Sequence, residues 1–454
     1  MTQTKIPVGL PRPHPTKAYW QTPPLPISDH RSTPNLPKTS KYVIVGSGIT
    51  GTSIAWKILQ EEPGASITIL EARQACSGAT GRNGGHCRAG NYLKFKHYLQ
   101  QFGLEEVLKM EALEEVNVKN VGNFIKEHEI GCDLRDVETV DIFTDQPGWE
   151  EALEALKARE EAFDGRVEAK VLTKHRVWSA KETREELLVP AGVGAISFPA
   201  YALSPYKFIC GLLGMCLKKG LNIQTNTPVV EVARAHASKK WVVHTERGEI
   251  VAQKVILATN AYTAALYPPL VEAIIPTRGQ VAAIRPGSSI INNPALKITM
   301  GLNSAESGDY MQSRAEQFSG AGDIIIGGGR RLGTPRGENG EQPVLDDATI
   351  HPDVSEYLTH AAAKYFGRDN WGEDGKMLQE WTRIMGYTFD QCPLIGEAPG
   401  QEGLWVCAGF HGHGMATTFQ SAEALVGLLM GREKEVDKWM PENYRLSRVT
   451  KRTR

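Results

Sequence analysis

The residues with the clearest chemical meaning form a glycine-rich turn. Residues 41–45 predict a short apolar strand, which is followed by Gly46, Ser47, Gly48, Ile49, Thr50 and Gly51 and then by a helical stretch. Glycines at this spacing allow a backbone to approach a pyrophosphate at the positive end of a helix. Glu71 closes the next predicted strand, where a carboxylate can accept hydrogen bonds from both hydroxyls of an adenosine ribose. The pattern therefore predicts a dinucleotide site.

The loop after Glu71 favours FAD over NAD. It is rich in small residues and backbone donors: Ala72, Arg73, Ser77, Gly78, Ala79, Thr80, Arg82, Asn83, Gly84 and Gly85. An NAD-binding chain normally returns to the sheet through a helix at this point, whereas such a loop can follow a longer cofactor. An exposed connecting loop is the alternative interpretation.

A second strand, glycine turn and helix lie near the end of the chain. The predicted strand at 404–407 runs into Gly409, Phe410, His411, Gly412, His413, Gly414 and Met415. A helix that begins under a flavin pyrimidine would stabilise the negative charge that develops there on reduction. Binding of an unrelated anion, or tight packing alone, is the alternative.

These motifs resemble the D-amino acid oxidase and sarcosine oxidase superfamily over nearly the whole chain after residue 40. The resemblance also includes the strand end at 255–260, Thr277-Arg278-Gly279-Gln280, the stretch 387–396 and the turn 409–414. The stretch 77–85 is most similar to the γ-glutamylputrescine oxidase-like branch. This resemblance implies a flavin domain assembled from separated segments and a substrate domain whose sheet covers the flavin.

The resemblance also implies roles for individual residues. Gly46, Gly48 and Gly51 would hold the pyrophosphate and Glu71 the ribose, while Arg73 and residues 77–85 would follow the ribityl and phosphate side. Val229 would contact adenine through its backbone, and residues 409–415 would line the isoalloxazine edge. Thr259 lies at the strand end 255–260 that the resemblance includes.

Three positions depart from the sarcosine oxidases. Met385 stands where some of them attach FAD through a cysteine, Ala416 where a lysine binds the substrate carboxylate, and Ile325 near an oxygen-activating lysine. These departures leave the identity of the substrate and of the electron acceptor open.

The candidate catalytic residues are His86, His411 and His413. An imidazole beside a flavin can stabilise its anionic form or relay a proton, although each could equally be a hydrogen-bonded structural histidine. Arg278 and Arg314 are candidates to pair with a substrate carboxylate, with surface or ion-paired arginines as the alternative. Tyr310, Tyr387 and Trp381 are candidates to wall the pocket, unless they are core residues.

The predicted fold is α/β. We expect a Rossmann-type FAD-binding domain with a mostly parallel, three-layer sheet, and a second α+β substrate domain on a mixed or antiparallel sheet. The predicted FAD domain comprises 41–95, 165–265 and 376–440, and the substrate domain 96–164 and 266–375. Residues 1–40 predict a proline-rich arm that either stays loose or wraps the body, and 441–454 a basic tail.

Composition excludes several classes of function. Lys and Arg number 51 against 52 Asp and Glu, so no nucleic-acid or membrane partner is expected. The seven scattered cysteines fit neither a zinc site nor a disulfide framework, and no metal is predicted. Prolines interrupt the first thirty residues, where a signal peptide would need an apolar run. We expect a cytoplasmic protein.

The resulting hypothesis is FAD-dependent oxidation of the C–N bond of a small amine or amino acid. Hydride would pass to flavin N5, water would hydrolyse the imine, and O2 would accept the electrons to give hydrogen peroxide. Two alternatives remain: an amine dehydrogenase that uses another electron acceptor, and a flavin-binding protein without turnover.

Overall fold

The computed structural model describes residues 8–166, 170, 172–235, 239–291, 293–304 and 308–450. Its strands are Thr39–Val45 (β1), Ile67–Leu70 (β2), His86–Cys87 (β3), Arg135–Phe143 (β4), Arg176–Trp178 (β5), Gly194–Ala202 (β6), Asn222–Gln224 (β7), Val229–Arg234 (β8), Trp241–Thr245 (β9), Gly248–Leu257 (β10), Ile274–Arg285 (β11), Thr299–Asn303 (β12), Gly308–Ser313 (β13), Ile324–Gly327 (β14), Lys376–Thr388 (β15), Leu394–Glu397 (β16) and Leu404–Ala408 (β17).

The helices alternate with these strands. They are Ile49–Glu61 (α1), Phe95–Phe102 (α2), Leu104–Glu127 (α3), Gln146–Phe163 (α4), Ala180–Glu185 (α5), Pro205–Lys218 (α6), Thr263–Leu266 (α7), Pro352–Trp371 (α8), Gly414–Leu429 (α9), Glu433–Val436 (α10) and Ser447–Thr450 (α11).

The first sheet has the order β16-β17-β10-β1-β2-β7, with the β8–β9 hairpin paired to β10. β1 pairs in parallel with both β10 and β2, and β10 pairs in parallel with β17. Apolar side chains of α1, α6 and α9 share one hydrophobic cluster with this sheet. Since the strands are parallel, β1, β2 and β10 end at one edge, which is where ligands bind in sheets of this kind.

The second sheet has the order β15-β11-β14-β13-β12-β4-β6-β3, and β5 pairs with β6. Its pairings are antiparallel apart from the parallel pair β12 and β4. Helix α8 packs on it through a separate hydrophobic cluster. The α/β fold class, with one mostly parallel and one mixed sheet, is therefore confirmed.

Four strands of the second sheet, β3, β5, β6 and β15, lie in stretches that the predicted boundaries assign to the FAD domain. β6 pairs with β4 along its whole length, and β15 pairs with β11 from Ile274↔Thr388 to Arg285↔Lys376. An apolar strand can add to either sheet, and its partner is chosen by residues far away in the chain. The domain boundaries remain a prediction, with these four strands as the segments to reassign.

The N-terminal arm lies against the folded body, so the structure favours the wrapped alternative. Thr16 donates from its amide to the Asp347 carbonyl at 2.8 Å, and Ser32 donates to the Ile223 carbonyl at 2.9 Å. Between them Trp20 is buried. Residues 1–7 lie outside the described part of the chain.

The predicted basic tail packs on the body as far as the structure describes it. Tyr444 is buried, and Arg448 forms an ion pair with Asp390 at 2.7 Å. Residues 451–454 fall outside the described range. All seven cysteines are free and buried. Within the described residues, no helix combines the length and the apolar character needed to cross a lipid bilayer.

Candidate functional site

The glycine turn at the end of β1 has the geometry of a phosphate cradle. Gly46 has a φ of +105°, and a Cβ added there would lie 2.7 Å from the Ala258 carbonyl oxygen, so the position requires glycine. Helix α1 begins at Ile49 without a side-chain cap. The Ile49 amide donates to the Thr80 hydroxyl at 3.0 Å, and the positive end of the helix lies beside the turn, where it favours an anion.

Glu71 is fixed at the end of β2. Its Oε2 atom accepts hydrogen bonds from the Ser47 amide at 3.0 Å and from the Ser47 hydroxyl at 2.7 Å. Its Oε1 atom accepts from the Arg73 amide at 3.0 Å. The carboxylate thus lies beside the glycine turn, and its Oε1 atom keeps a lone pair for a ribose hydroxyl.

One cavity of ≈ 500 Å³ runs from this turn to the second sheet, within the usual size range of a ligand site. Most of the predicted cofactor residues line it: Gly46, Gly48, Ile49, Thr50, Glu71, Ala72, Arg73, Gly78, Ala79, Thr80, Asn83, Gly84, Val229, Thr259, Phe410, Gly412, Gly414 and Met415. Residues from both sheets, separated by hundreds of positions in sequence, therefore face a common space.

The turn between β17 and α9 forms one wall of the cavity. The amides of Gly409 and Phe410 donate to the Asn260 side-chain oxygen at 3.0 and 3.3 Å, which fixes the turn to the end of β10. Helix α9 begins at Gly414 without a side-chain cap, and the Asn117 amide group donates to the Met415 carbonyl at 3.0 Å. A second helix start thus faces the cavity.

Residues 41–428 match the family model described as DAO, FAD dependent oxidoreductase. The chain belongs to this family. A probable oxidoreductase OrdL of Haemophilus influenzae is 24% identical over 60% of this chain and 61% of its own length. The γ-glutamylputrescine oxidoreductase of Escherichia coli is 22% identical over 88% of this chain and 85% of its own. The crystal structure of L-proline dehydrogenase from P. horikoshii matches with a TM-score of 0.69 at 19% identity, covering 90% of this chain and 98% of that one.

Family membership confirms that the chain is an oxidoreductase with FAD as its cofactor, and the cavity fits this group. The starts of helices α1 and α9 face it. The Tyr262 hydroxyl, which lines the cavity, is buried without a hydrogen-bond partner. The turn after β1 and Glu71 would hold the adenosine and phosphates, and residues 410–415 would border the ring.

Six predicted cofactor residues lie outside the cavity lining: Ser47, Gly51, Ser77, Arg82, Gly85 and Gly409. Ser47 positions Glu71, and Gly51 lies so close to the Gly46 carbonyl that a Cβ would overlap with it. Arg82 donates to the Thr382 carbonyl at 2.6 Å and to the Thr16 hydroxyl at 2.6 Å. These residues support the turn and the loop instead of facing the cofactor space.

His411 lies in the turn with its ring stacked on Tyr387, the ring centroids 4.0 Å apart. Its Nδ1 atom accepts a hydrogen bond from the Thr388 amide at 3.2 Å. Burial is the main reason why its pKa falls to about 3. The ring is therefore neutral at physiological pH, with its proton on Nε2.

His86 and His413 also line the cavity. His86 Nε2 lies 3.1 Å from the Met311 carbonyl, to which it donates, and Nδ1 has no partner. Burial lowers the pKa of His86 to about 4, so this ring is neutral as well. His413 pairs with Glu114 at 3.0 Å, and the Gly90 amide donates to the same carboxylate oxygen.

The structure does not support the expected role of Arg278 and Arg314. Neither residue lines the cavity. Arg278 forms a buried ion pair with Glu341, and Arg314 forms one with Asp133 at 2.7 Å. Both guanidinium groups are thus neutralised elsewhere. Tyr310 does line the cavity, whereas Tyr387 reaches it only through the stacked ring of His411.

Several polar residues of the cavity were missed by the sequence analysis: Arg88, Asn91, Lys94, Glu111, Glu114, Asp141, Asp309 and Arg383. The sequence does contain a signal for the two residues on helix α3. Glu111 and Glu114 are three residues apart in a helix whose apolar positions mark a buried face, and carboxylates beside that face need partners. Arg383 and Asp141 lie in strands, where nothing local distinguishes them.

We expect Glu71→Gln to weaken FAD binding by about tenfold, because a carboxylate accepts hydrogen bonds more strongly than an amide, by roughly 1.4 kcal/mol. Fluorescence titration of the apoprotein with FAD measures the dissociation constant. Glu246→Gln, on the exposed turn between β9 and β10, is the matched control. Equal FAD affinities for Glu71→Gln and the control would contradict the assignment of Glu71 to the adenosine ribose.

The neutral state of His411 makes a prediction about pH. A group with a pKa of about 3 has no proton to lose between pH 5 and 8. His411→Asn should therefore slow flavin reduction, by about tenfold for one lost hydrogen bond, without moving any inflection of the pH profile in this range. Stopped-flow reduction at a series of pH values tests this. Loss of an inflection near 6.5 would show that the imidazolium acts instead.

Proposed function

We propose that this chain oxidises the C–N bond of a small amine that carries a carboxylate, such as an amino acid or an N-substituted amino acid. Two of the proteins compared above are named as a γ-glutamylputrescine oxidoreductase and an L-proline dehydrogenase, and both of these compounds contain C–N bonds. The choice of a carboxylate rests on one observation: Arg383 is buried in the cavity without a counterion.

Arg383 is a buried cation of the cavity without a counterion. Its side chain lines the cavity and is 8% exposed. Among the residues that the structure describes, none accepts a hydrogen bond from its guanidinium, and Nη1 is buried without a partner. A buried guanidinium without an acceptor is costly, so an anion from outside is the natural complement.

The carboxylates that line the cavity already have partners and do not favour a polyamine. Glu71 is bound by Ser47 and Arg73, as described above. Asp141 pairs with Arg88 at 2.7 Å, Glu111 with Arg159 at 2.6 Å, and Glu114 with His413 at 3.0 Å. Asp309 accepts hydrogen bonds from the Tyr365 hydroxyl at 2.7 Å and from the Gly329 amide at 3.0 Å. Each carboxylate of the cavity thus has hydrogen-bond donors, whereas Nη1 of Arg383 has no acceptor.

Arg383 lies in the part of the cavity next to the turn after β17. Alternate residues of a strand share one face, so Arg383, Met385 and Tyr387 form a row on β15. Tyr387 stacks on His411, and Met385 Sδ lies 3.4 Å from a Cβ added to Gly412. The row therefore follows the turn that borders the flavin ring.

Tyr310 and His86 complete this polar cluster. The Tyr310 ring centroid lies 5.7 Å from the Arg383 guanidinium carbon and 5.3 Å from the His86 ring. The Tyr310 hydroxyl and His86 Nδ1 are both buried without partners. Gly327, opposite Tyr310 on β14, leaves room for the ring, since a Cβ there would overlap with it.

This cluster matches the two ends of an amino acid. The guanidinium of Arg383 and the hydroxyl of Tyr310 would bind the carboxylate. His86 Nδ1, which is unprotonated, would accept a hydrogen bond from the amine. Holding both ends orients the α-carbon, and positioning of this kind is the main task of the protein in such a reaction.

Bound FAD would supply the two-electron acceptor for oxidation of the C–N bond, and water would hydrolyse the imine product to a carbonyl compound and an amine or ammonia. His411, neutral and with its proton on Nε2, would donate a hydrogen bond at the ring edge. The start of α9 would favour negative charge at the same edge.

The reaction is tested by adding matched pairs of compounds, each an amino acid and its decarboxylated amine, to the holoprotein without oxygen. We expect the flavin absorbance to bleach with at least one carboxylate-bearing amine and far more slowly with its partner. Admitting air and assaying hydrogen peroxide then separates an oxidase from a dehydrogenase. Bleaching by none of the amines would favour a flavin-binding protein without turnover.

Arg383→Met should lower kcat/KM for the carboxylate-bearing amine by about 100-fold, since losing one partner of a buried charged contact costs ~3 kcal/mol. Arg383→Lys should recover part of the loss, and the decarboxylated amine should react equally with all variants. Arg330→Met is the matched control, because Arg330 lies 5.5 Å over the Tyr387 ring but outside the cavity lining. An equal loss for both amines would contradict carboxylate binding.

A further inference from the structure

Part of the N-terminal arm forms a wall of the cofactor cavity. Leu10 and Pro11 line it together with residues of the turn after β1. Val8 packs against the hydrophobic cluster that contains Leu70 and Val229. This end of the arm thus lies beside the end of β2, where Glu71 faces the adenosine side.

The next residues of the arm are held by the loop that follows Glu71. The Arg12 carbonyl accepts a hydrogen bond from Arg73 Nη1 at 3.1 Å, and Arg73 also forms a buried ion pair with Asp347 at 2.9 Å. Thr16 in turn donates from its amide to the Asp347 carbonyl. The arm therefore crosses the cavity at Arg73, which itself lines the cavity.

Further along, the arm fastens the glycine-rich loop itself. Trp20 Nε1 donates to the Asn83 carbonyl at 2.6 Å, and the Gln21 amide group donates to the Cys76 carbonyl at 3.2 Å. Thr16 accepts from Arg82 at 2.6 Å. Both ends of the loop 76–83 are thus held by residues of the arm.

We propose that the N-terminal arm is part of the FAD site: residues 8–11 cover the adenosine end of the cofactor, and FAD leaves only when this segment lifts away. Leu10 is 42% exposed, and covering such an apolar side chain with a bound group is favourable. The contacts of residues 12–21 keep the segment in place over the cavity.

The test compares two truncations of the full chain. Removing residues 2–11 deletes the wall but leaves Arg12, Thr16 and Trp20, whereas removing residues 2–7 leaves the wall intact. FAD release on dilution is measured as a rise in flavin fluorescence. We expect this release to be about tenfold faster for the longer truncation and unchanged for the shorter one. Equal release from both truncated proteins would overturn the proposal.

A second measurement needs no truncation and holds even if the shortened chain folds poorly. Trypsin cuts after Lys17, which is exposed in the arm. FAD that contacts residues 8–11 should make this cut at least several-fold slower in the holoprotein than in the apoprotein, with the fragments identified by mass spectrometry. Equal cleavage rates with and without FAD would show that the arm does not sense the cofactor.

Discussion

The ion pair between Arg73 and Asp347 joins the parts of the molecule on which the site depends. Arg73 follows the strand that ends at Glu71, Asp347 belongs to the segment between β14 and α8, and both side chains are almost fully buried. Arg73 also holds the Arg12 carbonyl of the arm. Removing one partner of such a pair leaves a buried charge and typically costs ~3–5 kcal/mol. The first sheet, the segment after β14 and the arm are therefore fixed to one another at the cavity.

The local part of the cofactor site could be predicted from the sequence, because it is encoded by short motifs. The glycine turn, Glu71 and the turn after β17 each combine a strand end with a helix start, and the residues involved are adjacent in sequence. The predicted strands at 41–45 and 404–407 also agree with the structure, where they are β1 at Thr39–Val45 and β17 at Leu404–Ala408. Hydrophobic periodicity and the turn residues suffice for such elements.

The substrate side could not be predicted in the same way, because it depends on which charges find partners across the fold. Arg278 meets Glu341, and Arg314 meets Asp133, at separations of 63 and 181 residues. Arg383 has no such partner and lies in the cavity. In the sequence these arginines look alike, and only the packing of the second sheet distinguishes them. The arm is a similar case: its prolines predict an extended segment, but its position over the cavity follows from contacts with Arg73, Arg82 and Asn83.

The most direct test of the account is a crystal structure of the holoprotein with FAD and a carboxylate that cannot be oxidised, such as benzoate. The carboxylate oxygens should lie within hydrogen-bond distance, about 3 Å, of the Arg383 guanidinium, with the ring of the ligand beside the flavin. A carboxylate bound elsewhere in the cavity, with Arg383 paired to a protein group instead, would contradict it.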